Sequence, residues 1–274
     1  MKPFATIACL CSVFVLIEVA LADVAADRDA FREFYQQRFP EVEVADFVLG
    51  VYAIDDKLKQ QWEAVNEFPP FEFALDDGKA LVEEGFSDGS DLLDCLGPKP
   101  VSRHPYFDPS SGKIVTLGSA VNRCRTDQGK QKLSFQKQAL QSVIAYLSFL
   151  EHNQARAMSA PANPAAFAAY ERGKAFFYTK RGQLNLSCAD CHMKAVGKHL
   201  REQTLMPLVG AVNHFPIYSL RAGALGSLHQ RFVGCIEQVR GESPLLESQV
   251  FRELEYFLAL MADGLPIIAP MTQR

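Results

Sequence analysis

Apolar residues recur at helical spacing in two widely separated parts of the chain. The first stripe consists of Leu140, Val143, Leu147 and Leu150, and the second of Val250, Leu254, Phe257 and Met261. Positions three and four residues apart share one face of an α-helix, so each stripe predicts an amphipathic helix packed on a core. Residues 158–164, which are rich in small residues and proline, are typical of a linker between domains. Asn163-Pro164 and Ser243-Pro244 each predict a helix N-cap followed by proline in the first turn.

The sequences on the two sides of this linker repeat one arrangement. Each side has a glycine in a helical stretch, then two cysteines, then a closing helix with an aromatic residue. The intervals are 17 residues from Gly78 to Cys95 against 15 from Gly173 to Cys188, and 22 from Cys124 to Tyr146 against 21 from Cys235 to Tyr256. Such agreement predicts a duplicated unit. In each unit the glycine would let two helix backbones approach closely, because it has no side chain.

Five residues in the second half form a pattern with specific chemistry. Cys188-Ala189-Asp190-Cys191-His192 is the C-x-x-C-H motif that attaches a c-type haem covalently. Its two thiols add to the porphyrin vinyl groups, and the adjacent imidazole becomes the proximal ligand of the iron. The sequence therefore predicts one haem c held by Cys188, Cys191 and His192.

The first residues support this prediction, because a protein with haem attached outside the cytoplasm must be exported. Lys2 gives a positive start, residues 5–17 are almost entirely apolar, and Ala20-Leu21-Ala22 has the form of a signal-peptidase site. We expect residues 1–22 to be a cleaved secretory signal. The alternative is a short membrane anchor, but the run is shorter than the ~18 apolar residues that a span needs. No other segment is long and apolar enough, so we expect a periplasmic mature chain without a membrane span.

The cysteines divide between the two halves in an informative way. Of the five that follow the signal, two are assigned to haem, and we pair Cys95 with Cys124 in the oxidising compartment. Cys95 is followed by neither a second thiol nor a histidine at the required spacing, so the first half cannot hold covalent haem. The predicted fold is mainly α, with two tandem cytochrome-c-like domains, the first without haem. Residues 23–157 form an N-terminal extension plus the haem-less domain, and residues 158–274 form the haem-binding domain.

Cys235 is the remaining cysteine, and it follows His192 by 43 residues, where a distal haem ligand is expected. A thiolate at this position would keep the reduction potential low, whereas a methionine ligand would raise it. The methionines that follow the motif are poorly spaced for this role: Met193, Met206, Met261 and Met271. His214 and His199 offer a bis-histidine alternative, which would leave Cys235 without a role.

Arg231 lies four residues before Cys235, so in a helix its guanidinium can lie close to the sulfur. A nearby cation lowers a thiol pKa, and a guanidinium also offers forked donors to an oxyanion. The alternative is a buried structural cysteine flanked by surface arginines. Four other cations are weaker candidates, since such groups are more often solvated surface charges: Arg240, His229, Arg221 and Lys194. The net charge of -4 does not suggest a nucleic-acid partner.

Together, the duplicated unit, C-x-x-C-H in the second half and R-x-x-G-C-x-x-x-x-R from Arg231 to Arg240 resemble the SoxA family over roughly residues 70 to 265. Members are the catalytic cytochrome subunits of the periplasmic SoxAX complex in sulfur-oxidising bacteria. Because this chain lacks a first haem motif, the resemblance is to single-haem members, in which two cysteines form a disulfide.

The resemblance implies an L-cysteine S-thiosulfotransferase that joins thiosulfate oxidatively to a cysteine of a SoxYZ-type carrier protein. It implies that Cys235 is both distal ligand and active-site sulfur, that Arg231 helps to hold the anionic substrate, and that a SoxX-type cytochrome is the heterodimer partner and accepts the electrons. The alternative function is a periplasmic electron-transfer protein with a single His/Met haem and no bond-making activity. The Arg231 and Cys235 pair favours the enzyme, because a carrier would not need it.

Overall fold

The computed structural model describes residues 24–201 and 203–273, so the predicted signal at residues 1–22 lies outside the described residues. The described chain is mainly helical, as predicted. The α-helices are α1 over residues 24–38, α2 Asp56–Asn66, α3 Glu72–Glu83, α4 Leu92–Leu96, α5 Pro100–Arg103, α6 Leu117–Asp127, α7 Gln138–Leu150, α8 Pro164–Tyr178, α9 Leu228–Gln238 and α10 Gln249–Met261. In this part of the chain, no helix is both long and apolar enough to span a membrane.

Short strands connect the helices of each half. Hairpins are formed by β1 Tyr106–Asp108 with β2 Lys113–Val115, by β3 His199–Leu200 with β4 Gln203–Thr204, and by β5 Ile217–Ser219 with β6 Ala224–Gly226. The last strand, β7 Met271–Gln273, pairs in parallel with β5 and completes a three-stranded sheet in the order β6-β5-β7. This sheet brings the end of the described chain beside the start of α9.

Polar side chains fix the helix starts. The Asn163 side chain accepts from the backbone N–H of Ala166 and Pro164 opens α8, as the sequence predicts. The same prediction at Ser243-Pro244 is wrong, because α10 begins later, after Ser248. Thr116 and Ser227 cap the equivalent helices α6 and α9, each accepting a hydrogen bond from a backbone N–H three residues on. Capping satisfies backbone donors that would otherwise lack partners.

From its β5–β6 hairpin onward, the second half repeats the first at a constant interval. The strand and helix starts Tyr106 and Ile217, Leu117 and Leu228, and Gln138 and Gln249 are each 111 residues apart, and so are Cys124 and Cys235. The interval pairs Tyr146 with Phe257, so the sequence-based pairing with Tyr256 was wrong by one residue. A period of this length is visible in the sequence only as weak similarity, because packing constrains positions rather than residue types.

Each half contains one helix pair in which the backbones touch. A Cβ on Gly78 of α3 would lie 2.0 Å from the Ser142 carbonyl oxygen of α7, and one on Gly173 of α8 would lie 2.0 Å from that of Glu253 in α10. No side chain fits into such a contact, which confirms the predicted role of both glycines.

The predicted disulfide between Cys95 and Cys124 is confirmed, and it joins α4 to α6. The core of this half is formed by α3, α4, α6 and α7, with buried Val82, Leu92, Val121, Leu140, Val143 and Leu147. A covalent cross-link across this small core restricts the unfolded chain and so stabilises the half that has no haem motif.

The N-terminal segment packs on the second half, although it precedes the first in the chain. Phe31 and Tyr35 of α1 join one buried cluster with Phe177 of α8 and Phe257 of α10. Arg32 donates to the carbonyl oxygen of Met261 at the end of α10. Residues before the first repeat, for which the sequence indicated no chemical role, therefore help to build the half that carries the haem motif.

Candidate functional site

The C-x-x-C-H motif forms a tight helical turn after Ser187. The Asp190 carboxylate accepts from the Ser187 backbone N–H at 2.9 Å and from its hydroxyl at 2.8 Å, and Lys194 donates to it at 2.8 Å. These contacts, led by Lys194, hold the pKa of Asp190 well below its usual range. Lys194, one of the weaker candidates for binding substrate, is thus exposed and paired with the Asp190 carboxylate inside the motif. The turn brings the thiols of Cys188 and Cys191 and the imidazole of His192 to the same region of the second half.

His192 is oriented for coordination through one nitrogen. Its Nδ1 lies 2.9 Å from the carbonyl oxygen of Met206, and a carbonyl can only accept, so the proton is on Nδ1. Nε2 then keeps a free lone pair, the usual arrangement of a histidine that binds a metal. Burial lowers the pKa of His192, which favours the neutral, ligating imidazole. Tyr35 adds a hydrogen bond from its hydroxyl to the His192 carbonyl oxygen at 2.9 Å.

Cys235 and Arg231 lie one turn apart on α9, which confirms that their segment is helical. Burial raises the pKa of Cys235 to about 11; the Arg231 charge opposes this shift, and the charges of Cys188 and Cys191 reinforce it. Cys235 lies 44 residues beyond Cys191 in the chain, yet both motif thiols contribute to its pKa shift. Burial outweighs the pKa decrease that the sequence led us to expect from Arg231.

Arg231 itself is held by a residue that the sequence analysis missed. Its Nη2 donates a hydrogen bond to Oε1 of Gln273, the last residue of β7. The Arg231 charge also lowers the pKa values of His192 and His214, after the larger effect of burial on each. The guanidinium charge therefore acts on the predicted proximal imidazole as well as on the Cys235 thiol.

The later methionines have contacts of their own. Met206 uses its carbonyl to orient His192, while Met261 is fully buried in α10 and Met271 is buried beside Val51 and Tyr52.

The two alternative histidines differ. His199 is exposed on the β3–β4 hairpin, where its Nδ1 lies 3.1 Å from the Thr204 hydroxyl. His214 is buried; its Nδ1 lies 2.8 Å from the Val48 carbonyl oxygen, and its Nε2 has no hydrogen-bond partner in the described chain. Burial lowers the pKa of His214 to about 4, so this imidazole is neutral. Of the two, only His214 keeps a lone pair available inside the protein.

Arg181 is a second guanidinium that the sequence analysis missed. Its Nη1 lies 3.7 Å from the sulfur of Cys188, and its plane lies 3.7 Å from the centre of the Phe176 ring. The sequence signal was its position seven residues before the first motif cysteine. In contrast, the candidates Arg221 and Arg240 are exposed.

The remaining candidate, His229, lies in a buried ion-pair cluster and not beside Cys235. Its Nδ1 is 3.2 Å from Glu247, and its Nε2 is 2.9 Å from Glu255 at an angle that is poor for a hydrogen bond. The cluster joins the two halves, because Glu247 also accepts from the Thr116 hydroxyl at 2.7 Å and pairs with Arg252 at 3.2 Å. Burial disfavours the imidazolium, yet the two carboxylates outweigh it and raise the pKa of His229 to about 9.

We expect His229 to make stability depend on pH. Its pKa is higher in the folded chain than its ordinary value of 6.5, so the stabilisation is complete below about pH 6.5 and is lost as pH rises through about 9. Replacing His229 with glutamine should cost a few kcal/mol at pH 6, because the half-buried Glu255 loses its cation and Glu247 keeps only Arg252. Urea unfolding of both proteins from pH 6 to 9.5 measures this. A difference in unfolding free energy that stays constant over that range would contradict the assignment.

The donor set at the motif fits a covalent haem c: two thiols three residues apart, an imidazole with a free Nε2, and a third thiol whose pKa both motif thiols affect. Comparisons with known proteins agree. Residues 172–267 match the family model described as "SoxA/TsdA, cytochrome c domain". This range begins in α8 and ends after α10.

Full-length relatives extend the match to most of the chain. The L-cysteine S-thiosulfotransferase subunit SoxA of Allochromatium vinosum is 39% identical over 259 residues, covering 93% of this chain and 92% of the relative. Its counterpart from Chlorobaculum tepidum is 37% identical over 253 residues, covering 92% and 88%. Among solved structures, the crystal structure of SoxXA from P. pantotrophus aligns with a TM-score of 0.69 at 25% identity, over 78% of this chain and 84% of that one.

Proposed function

This chain belongs to the SoxA family of L-cysteine S-thiosulfotransferase subunits, and from that premise we propose a mechanism. It is a thiosulfotransferase subunit of the Sox sulfur-oxidation system with a cytochrome c domain in its second half. The finer proposals are that it carries a single haem c, and that the thiol of Cys235 and the guanidinium of Arg231 are its catalytic groups. The position of Arg231 and Cys235 one turn apart on α9, where the charge of Arg231 and both motif thiols act on the Cys235 pKa, supports both catalytic roles most directly.

A single haem follows from what each half offers. Cys188 and Cys191 would bind the porphyrin, with His192 as proximal and Cys235 as distal ligand of the iron. The first half shares with the second an opening helix, a hairpin and two closing helices, but its Cys124, the counterpart of Cys235, is bonded to Cys95. We therefore propose two cytochrome-c-like domains, of which the first replaces the stabilisation from haem with a disulfide.

The net reaction joins a cysteine thiol of a SoxYZ-type carrier protein to the terminal sulfur of thiosulfate. One S–S bond forms, the thiol proton is released, and two electrons leave the sulfur atoms. Haem c supplies one-electron redox chemistry, and a SoxX-type cytochrome would be the heterodimer partner and accept the electrons. We place this reaction in the periplasm, as expected for a chain with a cleaved secretory signal.

The residues of this chain would bind and orient the anion. Thiosulfate is a dianion, and Arg231 offers a cation with several N–H donors beside the Cys235 sulfur. Arg231 is held by the neutral amide of Gln273, so its positive charge remains available to the substrate. Cys235 would provide a polarizable, half-buried sulfur.

Two measurements test the proposal. The intact mass of the mature chain should correspond to one haem and one disulfide, and it would also report any sulfur added to Cys235. The purified chain, mixed with a SoxX-type cytochrome, a SoxYZ-type carrier and thiosulfate, should reduce cytochrome and add thiosulfate to the carrier cysteine. A carrier that stays unmodified in the complete mixture, while the cytochromes remain redox-active, would leave only electron transfer as the function of this chain.

A further inference from the structure

Gln273 occupies a fixed position that does not depend on its side chain. Its backbone lies in β7 opposite Ser219 of β5, and its carbonyl oxygen accepts from the Leu220 N–H at 2.8 Å. The preceding residue, Thr272, is buried and is held by the Asn66 side chain and the Tyr52 hydroxyl. The strand therefore presents the Gln273 amide from a rigid support.

The Gln273 amide contacts the guanidinium without neutralising it. Its oxygen accepts one N–H of Arg231, and within the described chain Arg231 forms no ion pair with a carboxylate. Other cations in the same half have carboxylate partners instead: Arg172 is paired with Glu253 at 2.6 Å, and Lys194 with Asp190 at 2.8 Å. A carboxylate on Arg231 would compete with an incoming anion for the same donors, whereas an amide fixes one edge of the planar group and leaves the charge.

We propose that Gln273 is a positioning residue that fixes the plane of the Arg231 guanidinium for the sulfonate oxygens of thiosulfate. This inference rests on the proposed function, because it assigns the substrate to the cation beside Cys235. Gln273 acts through Arg231 and need not touch the substrate. An arginine side chain without this hydrogen bond would lose conformational entropy when the substrate orders it. Holding the guanidinium in place beforehand reduces that cost and so favours binding.

Two substitutions separate orientation from charge. Gln273→Met keeps a side chain of similar size but removes the acceptor, and we expect kcat/KM for thiosulfate to fall roughly tenfold, as for loss of a hydrogen bond to a charged group. Gln273→Glu keeps an acceptor but adds a competing charge, so KM for thiosulfate should rise further, roughly a hundredfold, with a strong dependence on ionic strength. KM for the carrier protein, the haem spectrum and the thermal midpoint should stay as in the wild type for both variants.

The control is Gln60→Glu, which adds the same charge at an exposed position on α2 and should leave KM for thiosulfate unchanged. Equal KM values for thiosulfate in Gln273→Glu and the wild type would overturn the proposal. So would parallel changes in KM for both substrates together with a lower thermal midpoint, because they indicate a purely structural role. Failure of the proposed function is distinct, because the wild type would then leave the carrier unmodified.

Discussion

Replacement of Cys235 with alanine is expected to reduce thiosulfate conjugation at least ~10³-fold, the scale seen when an enzyme loses a group that bonds to the substrate. Cys188 and Cys191, which would form the thioether bonds to haem, and the imidazole of His192 remain. The haem should therefore still be attached covalently. The measurement is the initial rate of carrier modification in the reconstituted mixture, with haem content determined on the same sample.

Cys235→Met separates iron coordination from sulfur chemistry. A methionine can still coordinate the iron, and it should raise the reduction potential relative to a thiolate, but it offers no thiolate to the substrate. We therefore expect turnover to be lost in this variant as well. The matched control is the double variant Cys95→Ser, Cys124→Ser, which removes two sulfurs from the other half and should retain turnover per folded molecule. Undiminished turnover in both Cys235 variants would remove Cys235 from the catalytic machinery.

Gly173→Ala is expected to destabilise the second half by about 3 kcal/mol or more. In an exposed helix this change stabilises by about 1 kcal/mol, because alanine is the better helix former. Here the new methyl group would meet the Glu253 carbonyl oxygen at 2.0 Å and the Phe257 Cβ at 3.1 Å, so α8 and α10 must separate. Overpacking of this kind costs about 1 to 3 kcal/mol even where only side chains must move. The steric effect therefore exceeds the gain in helix propensity.

Gly78→Ala provides the comparison within the same molecule. Its contact with Ser142 has the same 2.0 Å geometry in the first half, so the loss of unfolding free energy should be similar. Only Gly173→Ala should also alter the haem spectrum, since α8 and α10 belong to the half that carries the motif. Urea unfolding followed by circular dichroism and by haem absorbance measures both. Either variant being as stable as the wild type would show that the helix contacts are looser than described.

The sequence was most informative where a role depends on local spacing. The C-x-x-C-H motif and the four-residue interval from Arg231 to Cys235 are visible because one helical turn relates neighbours in the chain to neighbours in space. The relation of Cys235 to the motif thiols was predicted only from its distance along the chain, and in the fold both thiols contribute to its raised pKa. His229 was misjudged as a possible substrate ligand, because nothing in its neighbours' identities reveals that Glu255 lies across from it.

Two of the residues that sequence analysis missed act over long chain distances. Gln273 reaches Arg231 from 42 residues away, and Tyr35 reaches His192 from 157 residues away. Such pairs depend on how the sheet and helices pack, and no periodic pattern marks them. The one-residue error at Tyr256 has a related cause, since two adjacent aromatic residues give the same pattern and only the contact of Gly173 with Phe257 distinguishes them.

The position of α1 determines how this protein can be dissected. A fragment that starts at the linker would keep the haem motif and α8 to α10, but it would leave behind Phe31, Tyr35 and the cap that Arg32 places on Met261. An apolar surface that α1 normally covers would then face water. The half with the haem motif is therefore assembled from two distant segments of the chain, and an autonomous version would need α1 spliced back onto it.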